Sequence, residues 1–342
     1  MQALVIERPG AAALVELDRP RPGPGEVLVR VRATGICGSD VELLEGRRPA
    51  PYARYPIVPG HEWAGTVATT GPGVAGLAPG DPVVAEGFRA CGTCARCREG
   101  LTNLCAAEYA ETGFTEPGAC ADYICVPAGL VHRLPAGTDL EAAALLEPAA
   151  CVAQGLLDAD LRPGLSVAVV GAGTLGLLAV SLLRLTSPHR LALAGTRAPR
   201  LELARELGAE EVADVRREDP VAVLGGDFDL VFEATNRPEG AQLALQLARR
   251  GGTVVLEGIS GVAEPAVTPD LISLGHLRVQ GVFGASRAAW RWVVDLFASG
   301  TLDPSPLVSH RFPLADFEHA FAALRDPEAG ALKVELVPDG SP

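Results

Sequence analysis

Cys37, His61 and Glu62 are a thiolate, an imidazole and a carboxylate. Those are ligand types that a catalytic zinc accepts while keeping a fourth position for water or substrate. Cys37 opens Cys37-Gly38-Ser39-Asp40, and His61-Glu62 closes Pro59-Gly60-His61-Glu62, with a loop rich in Pro and Arg between them. A Cys and a His at such spacing are common by chance, so the trio gains weight only from its surroundings. The second group is denser: Cys91-Gly-Thr-Cys94-Ala-Arg-Cys97, then seven residues, then Cys105. Four thiols this close can wrap one tetrahedral zinc as a closed structural site. A redox Cys-x-x-Cys is disfavoured, because no thioredoxin-like strand and helix surround it.

A third group reads as a nucleotide site. The apolar run Ser166-Val-Ala-Val-Val170 leads directly into Gly171-Ala172-Gly173-Thr174-Leu175-Gly176 and an apolar stretch through Leu185. Glycines between a strand and a helix start let the backbone approach a pyrophosphate, and the helix N-terminus offers free N–H groups. The next strand ends in Gly195-Thr196-Arg197, where an NAD-binding unit carries an Asp or Glu for the adenosine ribose. A glycine there removes the repulsion that a carboxylate would exert on the extra phosphate of NADP. Thr196 can donate a hydrogen bond to that phosphate and Arg197 a charge-assisted one. Arg200 is either a second phosphate contact or a solvated residue at a helix start. The expectation is NADP(H) in preference to NAD(H), against the plainer reading of Gly195-Thr196 as a turn with the selecting acid elsewhere.

These residues need a scaffold, and 342 residues with 48% hydrophobic content suffice for two domains with buried cores. A formal net charge of −13, from 42 acidic and 29 basic residues, opposes a nucleic-acid or anionic-membrane partner. Lys333 is the single lysine, read as a compositional bias without functional consequence. The first residues alternate like a strand and lack the pattern of a signal peptide, and no apolar run reaches the length of a membrane span. Eight cysteines in such a chain point to metal and free thiols before disulfides, and a cytoplasmic location is expected. Residues 1 to about 150 carry short apolar runs (Val27–Val31, Gly65–Ala68, Pro82–Ala85) separated by Gly-Pro punctuation, which predicts an all-β, barrel-like domain. Cys120, Cys125 and Cys151 read as packed side chains, and Asp40 as structural.

The cysteine cluster, preceded by Cys37 and Gly60-His61-Glu62, resembles the zinc-dependent medium-chain alcohol dehydrogenases, in particular the polyol, threonine and aminocyclitol dehydrogenase branch. The resemblance spans essentially the whole chain. It implies α/β plus β architecture: a GroES-like β-barrel catalytic domain (1–150 and 286–342) with an inserted Rossmann doubly wound parallel-sheet domain (151–285). His310-Arg-Phe-Pro-Leu314, followed by Phe317, Ala320 and Phe321, looks like the family's returning segment. The resemblance also implies two zinc ions per chain and a homodimer or homotetramer. It sets Thr235, Gly258, Ile259 and Phe283 beside the nicotinamide and its ribose, and Ser39 at the hydroxyl position that takes the substrate's proton. Many relatives carry a His three residues after this Ser, whereas this chain has Glu42, either a proton shuttle, a substrate contact or a surface charge. Glu147 matches the position where the polyol and threonine branch carries a Glu that binds zinc directly or holds its water.

Together these readings predict hydride transfer between NADP(H) and a secondary alcohol or ketone of polyol, sugar or aminocyclitol type. Glu62 and Glu147 near the metal favour a polar substrate over a simple aliphatic one. A broad NADPH-dependent aldehyde or ketone reductase is the alternative within the enzyme class. A cofactor-binding relative without catalysis is opposed by the presence of Cys37, His61 and Glu62 together.

Overall fold

The computed structural model describes residues 1–261 and 267–338. The chain forms two compact units, Met1–Glu147 with Ser286–Pro342, and Pro148–Ala285. The first break falls just inside the helix Leu146–Asp158, a few residues before the expected boundary. No helix among the described residues is long and apolar enough to cross a membrane.

The first unit is built around the strand Glu26–Ile36. It pairs antiparallel with Glu62–Thr70, with Tyr123–Pro127 and, at its far end, with Lys333–Val337. Pro82–Ala85 and Val131–Arg133 extend the sheet on one side, and Val308–Pro313 on the other. Alternation decides which side chains go inward. Val27, Val29 and Val31 share one face and pack with Trp63, Val67, Val83, Ile124 and Val126. The returning residues join a second core, in which Leu314, Ala320, Phe321, Val334 and Leu336 meet Leu4, Ile36 and Cys120. Gly-Pro punctuation has a concrete role here: the Gly25 N–H donates to Pro72 O and the Gly71 N–H to Glu26 O, tying two turns together.

The second unit holds a parallel sheet in the order Glu211–Asp214, Arg190–Gly195, Ser166–Val170, Phe228–Glu233, Ala248–Leu256, Arg278–Gly281. The central strands are continuous apolar runs because helices cover both faces. The strand order reverses between Ser166–Val170 and Phe228–Glu233, which creates a crevice at their carboxyl ends where ligands of such sheets bind. The chain is thus a GroES-like domain joined to a Rossmann-type parallel-sheet domain.

Candidate active site

Strand register explains how residues distant in sequence meet. Gly35 lies opposite Glu62, so Cys37, just past one strand, comes beside His61, just before the other. Ligand atoms of Cys37, His61 and Glu62 all lie within 4.8 Å of one another. His61 and Glu62 are buried and Cys37 is half-buried. Gly60 precedes them at φ +97°, and a Cβ on it would meet Thr34 Cγ2 at 2.7 Å and Cys120 Sγ at 2.8 Å. Only glycine tolerates both the conformation and the crowding.

Asp40 organises this cluster. The Cys37 N–H donates to Asp40 Oδ2 at 2.8 Å, while Asp40 Oδ1 lies 3.6 Å from His61 Nδ1. Burial opposes an imidazolium, but Asp40, assisted by Cys37 and Glu147, raises the His61 pKa well above its ordinary value. Burial likewise raises the Asp40 pKa, and His61 and the Cys37 N–H more than offset it, so that it ends lowered. Asp40 Oδ1 and His61 Nδ1 are buried without a hydrogen-bond partner among the described residues. A cation on the other ring nitrogen would fix a proton on Nδ1 and turn this approach into the carboxylate–histidine pairing typical of metal sites. One sulfur, one nitrogen and one carboxylate oxygen, converging and buried, fit zinc.

Lys333 completes the centre. Its Nζ donates to Glu62 Oε2 at 2.5 Å and to Ile36 O at 3.3 Å, and it is only 4% exposed. Burial works against its charge, yet Glu62 and Cys37 lead the groups that raise its pKa overall. The reading of Lys333 as mere compositional bias therefore does not hold. Glu147 is close enough for its charge to act on both His61 and Lys333, although it stands outside the tight trio. Ser39 is half-buried and its hydroxyl makes no hydrogen bond among the described residues. Glu42 pairs with Arg47 at 3.5 Å.

The four-cysteine group also converges, with its Sγ atoms within 4.8 Å of one another. Backbone N–H groups point at the sulfurs: Cys91 N–H to Cys105 Sγ at 3.3 Å, Cys94 N–H to Cys91 Sγ at 3.4 Å and Ala106 N–H to Cys94 Sγ at 3.5 Å. N–H groups of Thr93 and Cys94 hold the Cys91 thiol down to about 5, whereas desolvation and neighbouring thiols push Cys97 up to about 12. A closed set of four sulfurs of this kind fits a structural zinc.

In the second unit Gly171 adopts φ +116°, and a Cβ there would meet Ala234 O at 2.9 Å. Gly173, before the helix Thr174–Arg184, has open space where a Cβ would be, a cradle suited to a pyrophosphate. Gly195 has a packing role as well as an electrostatic one, since a Cβ would meet Ala172 Cβ at 2.7 Å. Arg197 sits at φ +70° before the helix Ala198–Glu206. Arg200 is half-buried, donating to Ala172 O at 3.4 Å, and desolvation together with the Arg197 charge lowers its pKa to about 10. It is therefore a residue of the turn's rim and not a freely solvated one. Thr235, Gly258, Ile259 and Phe283 all lie at or just beyond the carboxyl ends of the sheet strands, with Ile259 64% exposed.

Residues 23–136 match the family model of the alcohol dehydrogenase GroES-like domain, and residues 161–299 that of the zinc-binding dehydrogenase. An L-threonine 3-dehydrogenase of Bacillus velezensis is 35% identical over 99% of each chain. The chain belongs to the zinc-dependent medium-chain alcohol dehydrogenase family. Among solved structures, a zinc-binding dehydrogenase of Sinorhizobium meliloti bound to NADP superposes on this dehydrogenase with a TM-score of 0.91 at 32% identity, covering 98% and 99% of the two chains. The cobalt- and zinc-bound alcohol dehydrogenase of Pyrobaculum aerophilum gives 0.89 at 32% identity, with 99% of each chain covered.

Sequence reasoning missed three groups of the dehydrogenase. Asp40 was assigned to structure alone, although its two oxygens serve the Cys37 backbone and face the His61 ring. Lys333 offered a signal that went unused, because an ammonium retained in a chain where Arg otherwise carries the positive charge marks a place that Arg does not fit. Glu233 was passed over at the end of a central strand. Its buried carboxylate accepts from the Thr235 N–H at 2.6 Å and from the Thr235 hydroxyl, fixing the loop that leads to Asn236.

Proposed function

We propose that this dehydrogenase transfers a hydride between NADP(H) and a secondary alcohol or ketone carrying neighbouring polar groups, of polyol, sugar or aminocyclitol type. The L-threonine 3-dehydrogenase relatives extend that class to hydroxylated amino acids. The observation that carries the reading is the convergence of Cys37, His61 and Glu62 on one point, braced by Asp40 and Lys333. Those three residues would hold one zinc, with Glu147 as a further carboxylate beside it, and Cys91, Cys94, Cys97 and Cys105 would hold a second. When bound at the first site, zinc supplies a Lewis acid that polarises the substrate oxygen, and the nicotinamide supplies the hydride chemistry. Ser39, its hydroxyl without a partner among the described residues, would relay the proton leaving the alcohol, passing its own hydroxyl proton on to solvent water. We assign Glu42, held by Arg47, to the surface.

For the coenzyme, Gly195 leaves the adenosine end without a carboxylate, and Arg197 and Arg200 bring two guanidinium groups to the rim of the glycine turn. This supports NADP over NAD, as does the NADP-bound relative. Steady-state kinetics with both coenzymes across a panel of polyols, amino sugars and hydroxylated amino acids, with metal analysis of the same sample, tests the proposal. The expected results are two zinc ions per chain and a higher kcat/KM with NADP. A higher kcat/KM with NAD would overturn the coenzyme assignment, and turnover of simple hydrophobic alcohols alone would overturn the substrate class. A homodimer or homotetramer belongs to the same proposal and is read by light scattering.

A further inference from the structure

A second polar cluster in the first unit lies one aromatic ring away from His61. The Phe114 ring packs on the His61 imidazole with centroids 4.7 Å apart, and the Arg48 guanidinium lies over the Phe114 ring at 3.5 Å from its centroid. Arg48 is held in place from several directions. Its Nε donates to Tyr52 O at 2.8 Å and its Nη2 to the Tyr109 hydroxyl at 2.9 Å, with Glu111 Oε2 at 3.5 Å. Tyr109 in turn donates to Glu111. Glu111 is 5% exposed, and its titration responds to His61, Glu147 and Asp40, which places its carboxylate in the field of the metal cluster.

This arrangement is a poor way to stabilise a fold. An Arg–Glu contact at 3.5 Å through one nitrogen is loose, and burying a carboxylate costs more than such a contact returns. Burial pushes the Glu111 carboxyl up to about 7, so near neutrality it only partly balances the guanidinium. The Nη1 of Arg48 has no hydrogen-bond partner among the described residues, and the side chain remains 14% exposed. What results is a rigid guanidinium, aimed by Tyr109 and Tyr52, stacked on an aromatic ring and left with an unused donor. A planar fork in that state is suited to an anion.

We propose that Arg48, positioned by Tyr109 and Glu111, binds an anionic group of the substrate, a carboxylate or a phosphate, while the carbinol carbon reacts at the Cys37–His61–Glu62 cluster. The inference rests on the dehydrogenase reading above and narrows its polar substrate class to secondary alcohols that carry an anionic group. Arg48 is thus a binding residue for specificity and takes no part in proton or hydride movement.

The test compares three substrate arms on the zinc-loaded enzyme: carboxylates (L-threonine, 3-hydroxybutyrate), polyol phosphates (sorbitol 6-phosphate), and neutral alcohols (2,3-butanediol, sorbitol). The wild type is expected to prefer one of the two anionic arms, which identifies the source of the charge. Arg48→Met should raise KM for that arm by roughly 10- to 100-fold with little change in kcat, the loss expected of a charged hydrogen bond. Its kcat/KM for neutral alcohols should fall by a distinctly smaller factor, since the charge is irrelevant to them. Arg48→Lys, which keeps the charge, should recover part of the anionic KM, and Tyr109→Phe should show a weaker form of the same KM effect. Equal losses on anionic and neutral arms, or wild-type turnover of neutral alcohols alone, would overturn the anion assignment and leave the dehydrogenase reading intact. No turnover on any arm with either coenzyme would overturn both.

Discussion

The pair Lys333–Glu62 poses the sharpest question at the level of single residues. Glu62 is one of three groups proposed to face a cation, yet in the chain by itself an ammonium already holds one of its oxygens. Both side chains are almost fully buried, so removing the ammonium leaves an uncompensated carboxylate at a cost of about 3–5 kcal/mol. That cost shrinks if a metal also neutralises Glu62. Lys333→Met is therefore expected to destabilise the zinc-free protein by about that amount, and the zinc-loaded protein distinctly less. Denaturant unfolding of both forms measures the difference; equal penalties would mean that Glu62 does not meet the metal. A chelator should also strip zinc from the variant more readily, by roughly 10- to 100-fold, as for other groups that orient a metal ligand.

At the level of elements, the sequence was legible wherever a local pattern carries the information. The apolar run Val27–Val31 with its Gly-Pro punctuation marked a strand, the Gly171–Gly176 stretch marked the turn between a strand and a helix, and the cysteine spacing marked a loop that closes on itself. What stayed hidden depends on register between distant segments. Lys333 and Glu62 are 271 positions apart, and only the antiparallel pairing of Lys333–Val337 with Glu26–Ile36 brings them together. The same holds for Arg48 and Glu111, which approach across a loop whose course no periodicity reveals. The cysteine loop itself makes a prediction. Between Cys91 and Cys105 its only regular pieces are the short turns Ala95–Arg98 and Thr102–Leu104, so little besides the sulfurs defines it. With Cys91 held near 5 and Cys97 near 12, the metal-free thiols do not ionise together, and a cation is needed to make all four thiolates. Cys97→Ser should lower the zinc content from the proposed two per chain to one. Limited proteolysis should then cut within 91–105 while the strands on either side stay protected; an uncut loop would show that packing alone holds it.

For the molecule as a whole, the acidic balance of the chain meets carboxylates that folding buries. Glu335 is fully buried on the strand that closes the first unit, and burial pushes its carboxyl up to about 8. The groups facing it are Arg311 and Lys333, which favour its charge, and Glu141 and Glu62, which oppose it; Arg311 at 3.9 Å is too distant to outweigh burial. Because the folded value lies above the unfolded one near 4.5, the native state holds more protons than the unfolded state between those pH values. Stability from this group is therefore full below about pH 4.5 and declines as pH rises toward 8, by at most about 5 kcal/mol. Glu111, raised to about 7, acts in the same direction over a narrower window, and the net charge of −13 adds self-repulsion as pH increases. Glu335→Gln isolates the first contribution, since the amide keeps the shape and cannot ionise. The variant should unfold at nearly the wild-type temperature at pH 5 and several degrees higher at pH 8.5, so that its Tm-against-pH curve is the flatter of the two. A gap that stays constant across that range would mean that Glu335 is ionised in the folded protein throughout, compensated by Arg311 and Lys333 after all.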